Sequence, residues 1–223
     1  MRVCFVSREG LREFAKGSYR LEADVVVCGF RFLGEVSYEK ELSGESACFE
    51  GLAQVSKKYR TVVVSGCVTD AKGHKRKSAV VAENGRILGV SDMLNAVDGE
   101  VSSGANLRVY DTKAGRMGVS VAEDLYFPDV VKTLAVCGSD FIVIPYGVVE
   151  GSVESVLLRA DAFRYGIPIF FCGVGYGAIA EPTGELAFAS PVSPVLAEYD
   201  PVKEYHLVET RQRGFYKAPK KEF

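Results

Sequence analysis

Histidine is scarce in this chain of 223 residues. His74 and His206 stand alone, without cysteines or carboxylates at metal-ligand spacing. That argues against a metal centre, and no metal or other cofactor is expected. The cysteines (Cys4, Cys28, Cys48, Cys67, Cys137 and Cys172) lack paired spacing and fall mostly inside apolar runs. They read as buried, reduced thiols of a cytoplasmic protein rather than a disulfide framework. No phosphate cradle is present, since Gly173, Gly175 and Gly177 are not followed by Lys-Ser/Thr. Positive charge is not in excess: 27 Lys and Arg against 29 Asp and Glu give a net charge of -2. Neither nucleic acid nor an anionic membrane is therefore expected as a partner. The basic runs Lys72 to Lys77 and Lys217 to Lys221 read as a solvated turn and tail. No apolar run reaches the length of a membrane span. The opening MRVCFVSREG has too brief an apolar stretch for a signal peptide and reads as a first strand.

What the chain does have is a steady alternation of strand-like and helical stretches with no linker, which predicts one domain over residues 1–223. Strands are expected at Val3 to Val6, Asp24 to Cys28, Thr61 to Cys67, Ser78 to Ala82, Leu107 to Tyr110, Met117 to Ala122, Phe141 to Pro145 and Ile167 to Cys172. A helix over Ser46 to Tyr59 would bury Cys48, Leu52, Val55 and Tyr59. A second, starting at Pro128, would bury Val131, Leu134 and Ala135 up to Gly138. A third, Ser152 to Tyr165, would turn Val156, Leu157, Ala160 and Phe163 inward and stop at Gly166. Asn84-Gly85 is a hairpin signal joining VVAE to RILGV, and Pro182-Thr183-Gly184 marks another turn.

The segment GVSVAEDLYFPD, Gly118 to Asp129, is the most informative. It resembles the nucleophile segment of the nitrilase superfamily, the carbon-nitrogen hydrolases, in which an apolar strand ends in cysteine and is followed by an aromatic, an Asp and a Phe-Pro-acid turn. Gly118, Val119, Val121, Asp124, Phe127, Pro128 and Asp129 fit that pattern, and Ala122 stands where the cysteine belongs. ADVVVCGFRFLG, YRTVVVSGCVTD with KSAVVAENGRILGV, VVKTLAVCGSDFIVIP, LLRADAFRYGIPIFFCGVG with AIAEPTGELAFAS, and AEYDPVKEYHLVETR are similar, in this order, to successive family segments along nearly the whole chain. The resemblance implies a mixed α/β fold, the four-layer α-β-β-α sandwich, and a homodimer formed through the outer helices.

In that family a Glu acts as general base, a Lys stabilises the oxyanion and a Cys forms the acyl enzyme. The resemblance places Phe30 at the Glu, Met93 at the Lys and Ala122 at the Cys. No lysine lies between Lys77 and Lys113, so a small shift of register does not restore one. Losing one member of such a unit costs on the order of 10⁶ in rate. The expectation is a non-hydrolytic homologue that keeps the fold for small-molecule binding, regulation or association with a partner. Phe30, Met93 and Ala122, with Glu123, Tyr126 and Cys172, form the candidate pocket, and a closed core at the first three positions is the plain alternative.

Asp124 and Asp129 are read as satisfying backbone donors at the turn into the Pro128 helix. Ser120 shares a strand face with Ala122 because side chains alternate with period two, but no histidine base stands near it in sequence. An active amidohydrolase would need displaced groups: Cys172 or Cys137 as nucleophile and Glu35, Glu100 or Glu123 as base. A purely structural subunit beside an active relative is the third reading.

Overall fold

The computed structural model describes residues 1–200, apart from Ser18, Arg20 and Asp98. His206, the second basic run and most of the segment AEYDPVKEYHLVETR lie outside them. The first strands are β1 (Arg2–Val6), β2 (Val25–Cys28), β3 (Glu35–Ser37), β4 (Val62–Ala71), β5 (His74–Glu83) and β6 (Arg86–Asp92). The next six, β7 (Arg108–Thr112), β8 (Gly115–Val119), β9 (Phe141–Val148), β10 (Ile169–Val174), β11 (Tyr176–Ala180) and β12 (Leu186–Ser190), build a second sheet in the order β12-β11-β10-β9-β8-β7. The last strand, β13 (Val195–Glu198), returns to the first sheet, whose order is β13-β1-β2-β4-β5-β6 with β3 beside β4.

The parallel strands at the sheet centres, VVVC of β2 and FIVIP of β9 among them, are apolar at every position because both their faces are covered. Strand alternation then sorts their side chains into three cores. Val3, Phe5, Val25, Val27, Val62 and Val64 meet Val119, Phe141, Val143 and Phe170 between the sheets. Cys4, Val6, Val26, Cys28 and Val63 point the other way, onto Phe14 of α1 (Leu11–Lys16) and Leu52 and Val55 of α3 (Cys48–Tyr59), which follows the short α2 (Tyr38–Ser43). Ile142, Ile144, Ile169 and Phe171 pack under α4 (Pro128–Val136) and α5 (Val153–Tyr165). The result is a four-layer α-β-β-α sandwich. Each fully buried Val, Ile or Phe stabilises it by roughly 1.5–3 kcal/mol.

The Asn84-Gly85 hairpin forms between β5 and β6 with both residues at positive φ, as a two-residue loop of the favoured hand requires. α4 buries Val131, Leu134 and Ala135 as its spacing predicts. Helix α5 differs. Its buried stripe is Glu154, Leu158, Asp161 and Ala162, spaced i, i+4, i+7, i+8, whereas Val156 and Phe163 are 59% and 37% exposed. The helix hides two acids and shows solvent its valines and a phenylalanine, so an apolar-stripe reading selects the wrong face.

The basic run from Lys72 is not a solvated turn as a whole. Only Lys72 and Gly73 make the turn, both at positive φ, and β5 begins at His74. Lys75, Arg76 and Lys77 then pair with Glu35, Asp92 and Glu123. Among the described residues, no helix is long and apolar enough to cross a membrane.

Candidate functional site

β8 ends at Val119, earlier than its apolar run suggests, and the Ser120 amide makes one further bond to the Val143 carbonyl. Val121 is extended, and Ala122 then turns into the left-handed region at φ +51°. A short 3-10 helix, Ala122–Tyr126, leads straight into Pro128 at the start of α4. An L-residue held in this conformation costs roughly 1–2 kcal/mol, and such corners are stored where surrounding structure enforces them. The chain thus makes a sharp strand-to-helix corner with residue 122 at its point. Because the strand stops short, the period-two argument linking Ser120 to Ala122 does not apply. The Ser120 hydroxyl is buried without a hydrogen-bond partner among the described residues.

Asp124 fastens the corner. Its carboxylate accepts the Leu94 amide at 3.1 and 2.9 Å, the Asn95 amide at 2.9 Å and the Asn95 side-chain amide at 2.9 Å. It does satisfy backbone donors, but those of the loop after Met93 and not those of the helix it precedes. Burial pushes its carboxyl up from the ordinary range, and these hydrogen bonds oppose the rise. Asp129 caps nothing. α4 has no side-chain cap, and Asp129 is exposed, 4.0 Å from Lys132.

Met93 donates its amide to the Lys77 carbonyl at 2.8 Å and is fully buried, as is Ala122. Phe30 follows β2, gives its amide to the Tyr146 carbonyl and lays its half-buried ring on Gly66, where a Cβ would overlap it. Phe30, Met93, Ala122 and Cys172 all join the one apolar cluster between the sheets. The three positions singled out by family pattern, 30, 93 and 122, therefore lie in the core between the sheets, and the residues there pack as hydrocarbon.

Beside this cluster lies a polar one, in which the expected Glu123 and Tyr126 are joined by Lys77, Tyr146 and Glu154, which were not expected. Lys77 Nζ stands 2.6 Å from Glu123 Oε1, with the two side chains 23% and 21% exposed. Tyr126 donates its hydroxyl to Glu154 Oε1 at 3.2 Å, and the Tyr146 hydroxyl reaches Tyr126 at 3.3 Å and Glu154 at 3.4 Å. Burial pushes the Tyr146 phenol far up, and the Tyr126 hydroxyl, Glu154 and Glu123 push the same way. Lys77 carried a usable signal: it shares strand parity with the inward-facing Ala79 and Val81. Glu154 shares a helical face with Leu158 and Ala162.

The displaced-residue alternatives are scattered. Cys172 is sealed between the sheets, and burial drives its thiol well above the ordinary range. Cys137, expected to be buried, is exposed at the end of α4. Cys48 is half-buried, and Cys4, Cys28 and Cys67 are buried, all of them free. Glu35 pairs with Lys75 at 3.0 Å, and Glu100 is exposed. An acid and an amine do meet, at Glu123 and Lys77, but the sulfurs are placed in the core or on the far end of a helix.

Two facing sheets between helical layers, with a left-handed corner closing the strand next to the central parallel pair, define a nitrilase-type sandwich. The carbon-nitrogen hydrolase family model matches residues 22–214, and the chain belongs to that family. It is 23% identical over 197 residues to a protein of Schizosaccharomyces pombe named as a probable nitrilase, covering 81% of this chain and 70% of the relative. Among solved structures it is similar to an amidase from Nesterenkonia sp., at 17% identity with a TM-score of 0.72 and 88% of each chain covered. It is also similar to the cysteine-to-alanine mutant of the Nesterenkonia AN1 amidase from the nitrilase superfamily, at 18% identity, TM-score 0.73 and 88% of each chain.

Proposed function

We propose that this carbon-nitrogen hydrolase homologue does not hydrolyse amides or nitriles, and that it acts as one cytoplasmic domain in small-molecule binding, regulation or partner association. One observation carries the reading: the corner at residue 122 keeps a left-handed backbone, yet carries a methyl group in the same apolar core that takes in Met93 and Phe30. A methyl group cannot form the acyl enzyme, a thioether cannot neutralise an oxyanion, and a phenyl ring cannot take a proton. A homodimer through the outer helices is part of the proposal. It is supported by the exposed Val136 of α4 and Val153, Val156 and Phe163 of α5, on a helix whose acids are buried.

The Lys77–Glu123 pair is the observation that favours a rearranged amidohydrolase, since it sets a cation and a carboxylate next to position 122. That reading still needs a nucleophile, and Cys172 is both enclosed and held protonated by its burial. Assay of the purified chain against amides and nitriles separates the two. Absence of turnover is expected, and thiol-dependent turnover abolished by Cys172→Ala overturns the proposal.

A further inference from the structure

Two carboxylate oxygens in the polar cluster are buried without a hydrogen-bond partner among the described residues: Glu123 Oε2 and Glu154 Oε2. Glu154 as a whole is only 5% exposed. Each is one half of a carboxylate whose other oxygen is engaged, Glu123 Oε1 by Lys77 and Glu154 Oε1 by the two tyrosine hydroxyls. Leaving such an acceptor dry and unpaired is costly, and more so when the group is charged. Glu123 and Tyr126 stand three residues apart on the 3-10 helix, where such positions eclipse, and the Tyr126 hydroxyl reaches Glu154, so both acids lie along one side of the corner. Two carboxylates against one ammonium leave that neighbourhood with a formal charge of -1, and the groups still unfilled are acceptors only. An anion is repelled there, and what the site lacks is N–H donors carrying positive charge.

Tyr126 supplies the way in. Its hydroxyl is tied to Glu154, yet the residue is 41% exposed, so the hydrogen-bonded group reaches solvent through it. Behind it the Tyr146 ring, packed on Phe171 with centroids 5.2 Å apart, gives an aromatic wall suited to a cation with a short apolar stem.

We infer that Glu123, Glu154, Tyr126 and Tyr146 form a binding site for a small organic cation, a primary ammonium or guanidinium head that donates to the two free carboxylate oxygens. The inference rests on the reading that this region binds a small molecule without hydrolysing it, and it names the chemical class of that molecule.

The test uses the full chain and propylammonium, with thermal melting and calorimetric titration as readouts at fixed ionic strength. Propylammonium raises the melting midpoint saturably, and tetramethylammonium, which has no N–H donor, does not. Glu154→Gln weakens the affinity about tenfold or more, the scale of one lost charge-assisted hydrogen bond. Glu123→Gln gives the same comparison at the more exposed carboxylate. Equal responses to the two cations, or affinity unchanged in both variants, overturn the inference. Binding of propionamide in place of propylammonium also overturns it while leaving the non-hydrolytic reading intact. Turnover of propionamide refutes that reading separately.

Discussion

Asp124 holds the Leu94 amide on both of its carboxylate oxygens, 3.1 and 2.9 Å away, and so ties the corner after Ala122 to the loop that carries Met93. The two segments are 29 and 30 residues apart at the bonds that join them. They come from different sheets, so this carboxylate sets how the two halves of the sandwich meet at the site.

Replacing Asp124 with Ala strands the amides of Leu94 and Asn95 beside a void. The expected loss is about 2–4 kcal/mol, with Asp124→Asn intermediate because its amide has one acceptor oxygen instead of two. Urea denaturation measures the loss, and limited proteolysis finds the cuts gathered in the loop after Met93.

At position 122 the left-handed backbone favours a residue without a Cβ. Ala122→Gly is expected to lie within about 1 kcal/mol of the parent and on the stabilising side, because relief of the corner offsets the entropy Gly adds to the unfolded chain. Ala122→Val adds a β-branched side chain to a positive-φ position in a packed core and is expected to cost about 2–4 kcal/mol. Chemical denaturation of the pair tests whether the corner is held in solution.

Asp161 faces inward from α5, 2% exposed, and burial pushes its carboxyl up to about 6 while Arg164 pulls it back. A carboxyl whose folded pKa exceeds its unfolded value of about 3.9 favours the fold when protonated. Its contribution is complete below pH ~4 and is lost as pH rises through about 6, on the order of 1–3 kcal/mol in all. Asp161→Asn, which stays neutral, is expected to flatten stability between pH 4 and 7 and to be the more stable protein at pH 8.

Much of this architecture was legible because strands buried on both faces announce themselves as apolar runs, and Pro128 and Gly166 mark a helix start and stop. The expectation at Phe30, Met93 and Ala122 came from the family's spacing alone, and all three lie in the core between the sheets. Less legible was anything resting on tertiary charge. Lys77 sits in a basic run that reads as solvent-facing until Glu123, 46 residues away, is packed against it. Glu154 and Asp161 look like the outer face of an amphipathic helix, and only the tyrosine hydroxyls in one case and burial against the sheet in the other reveal that they face inward. The left-handed turn at Ala122 has no local signal, because alanine does not favour that conformation and tertiary packing imposes it.

Cysteine labelling sorts the thiols by exposure. Iodoacetamide is expected to modify Cys137 readily and to spare Cys172, Cys67, Cys28 and Cys4 until the protein unfolds, since burial raises all four thiols, that of Cys4 to about 12. Rapid labelling alone therefore does not identify a nucleophile. Mass spectrometry of a Cys137→Ala variant is the informative case, and fast modification of Cys172 in it contradicts the packing described above.

The most direct measurement of the central claim is product release from a panel of small amides and nitriles by the purified chain, run beside its Cys172→Ala and Glu123→Gln variants. Background rates are expected for all three proteins. Hydrolysis above background by the parent, lost in either variant, contradicts that claim.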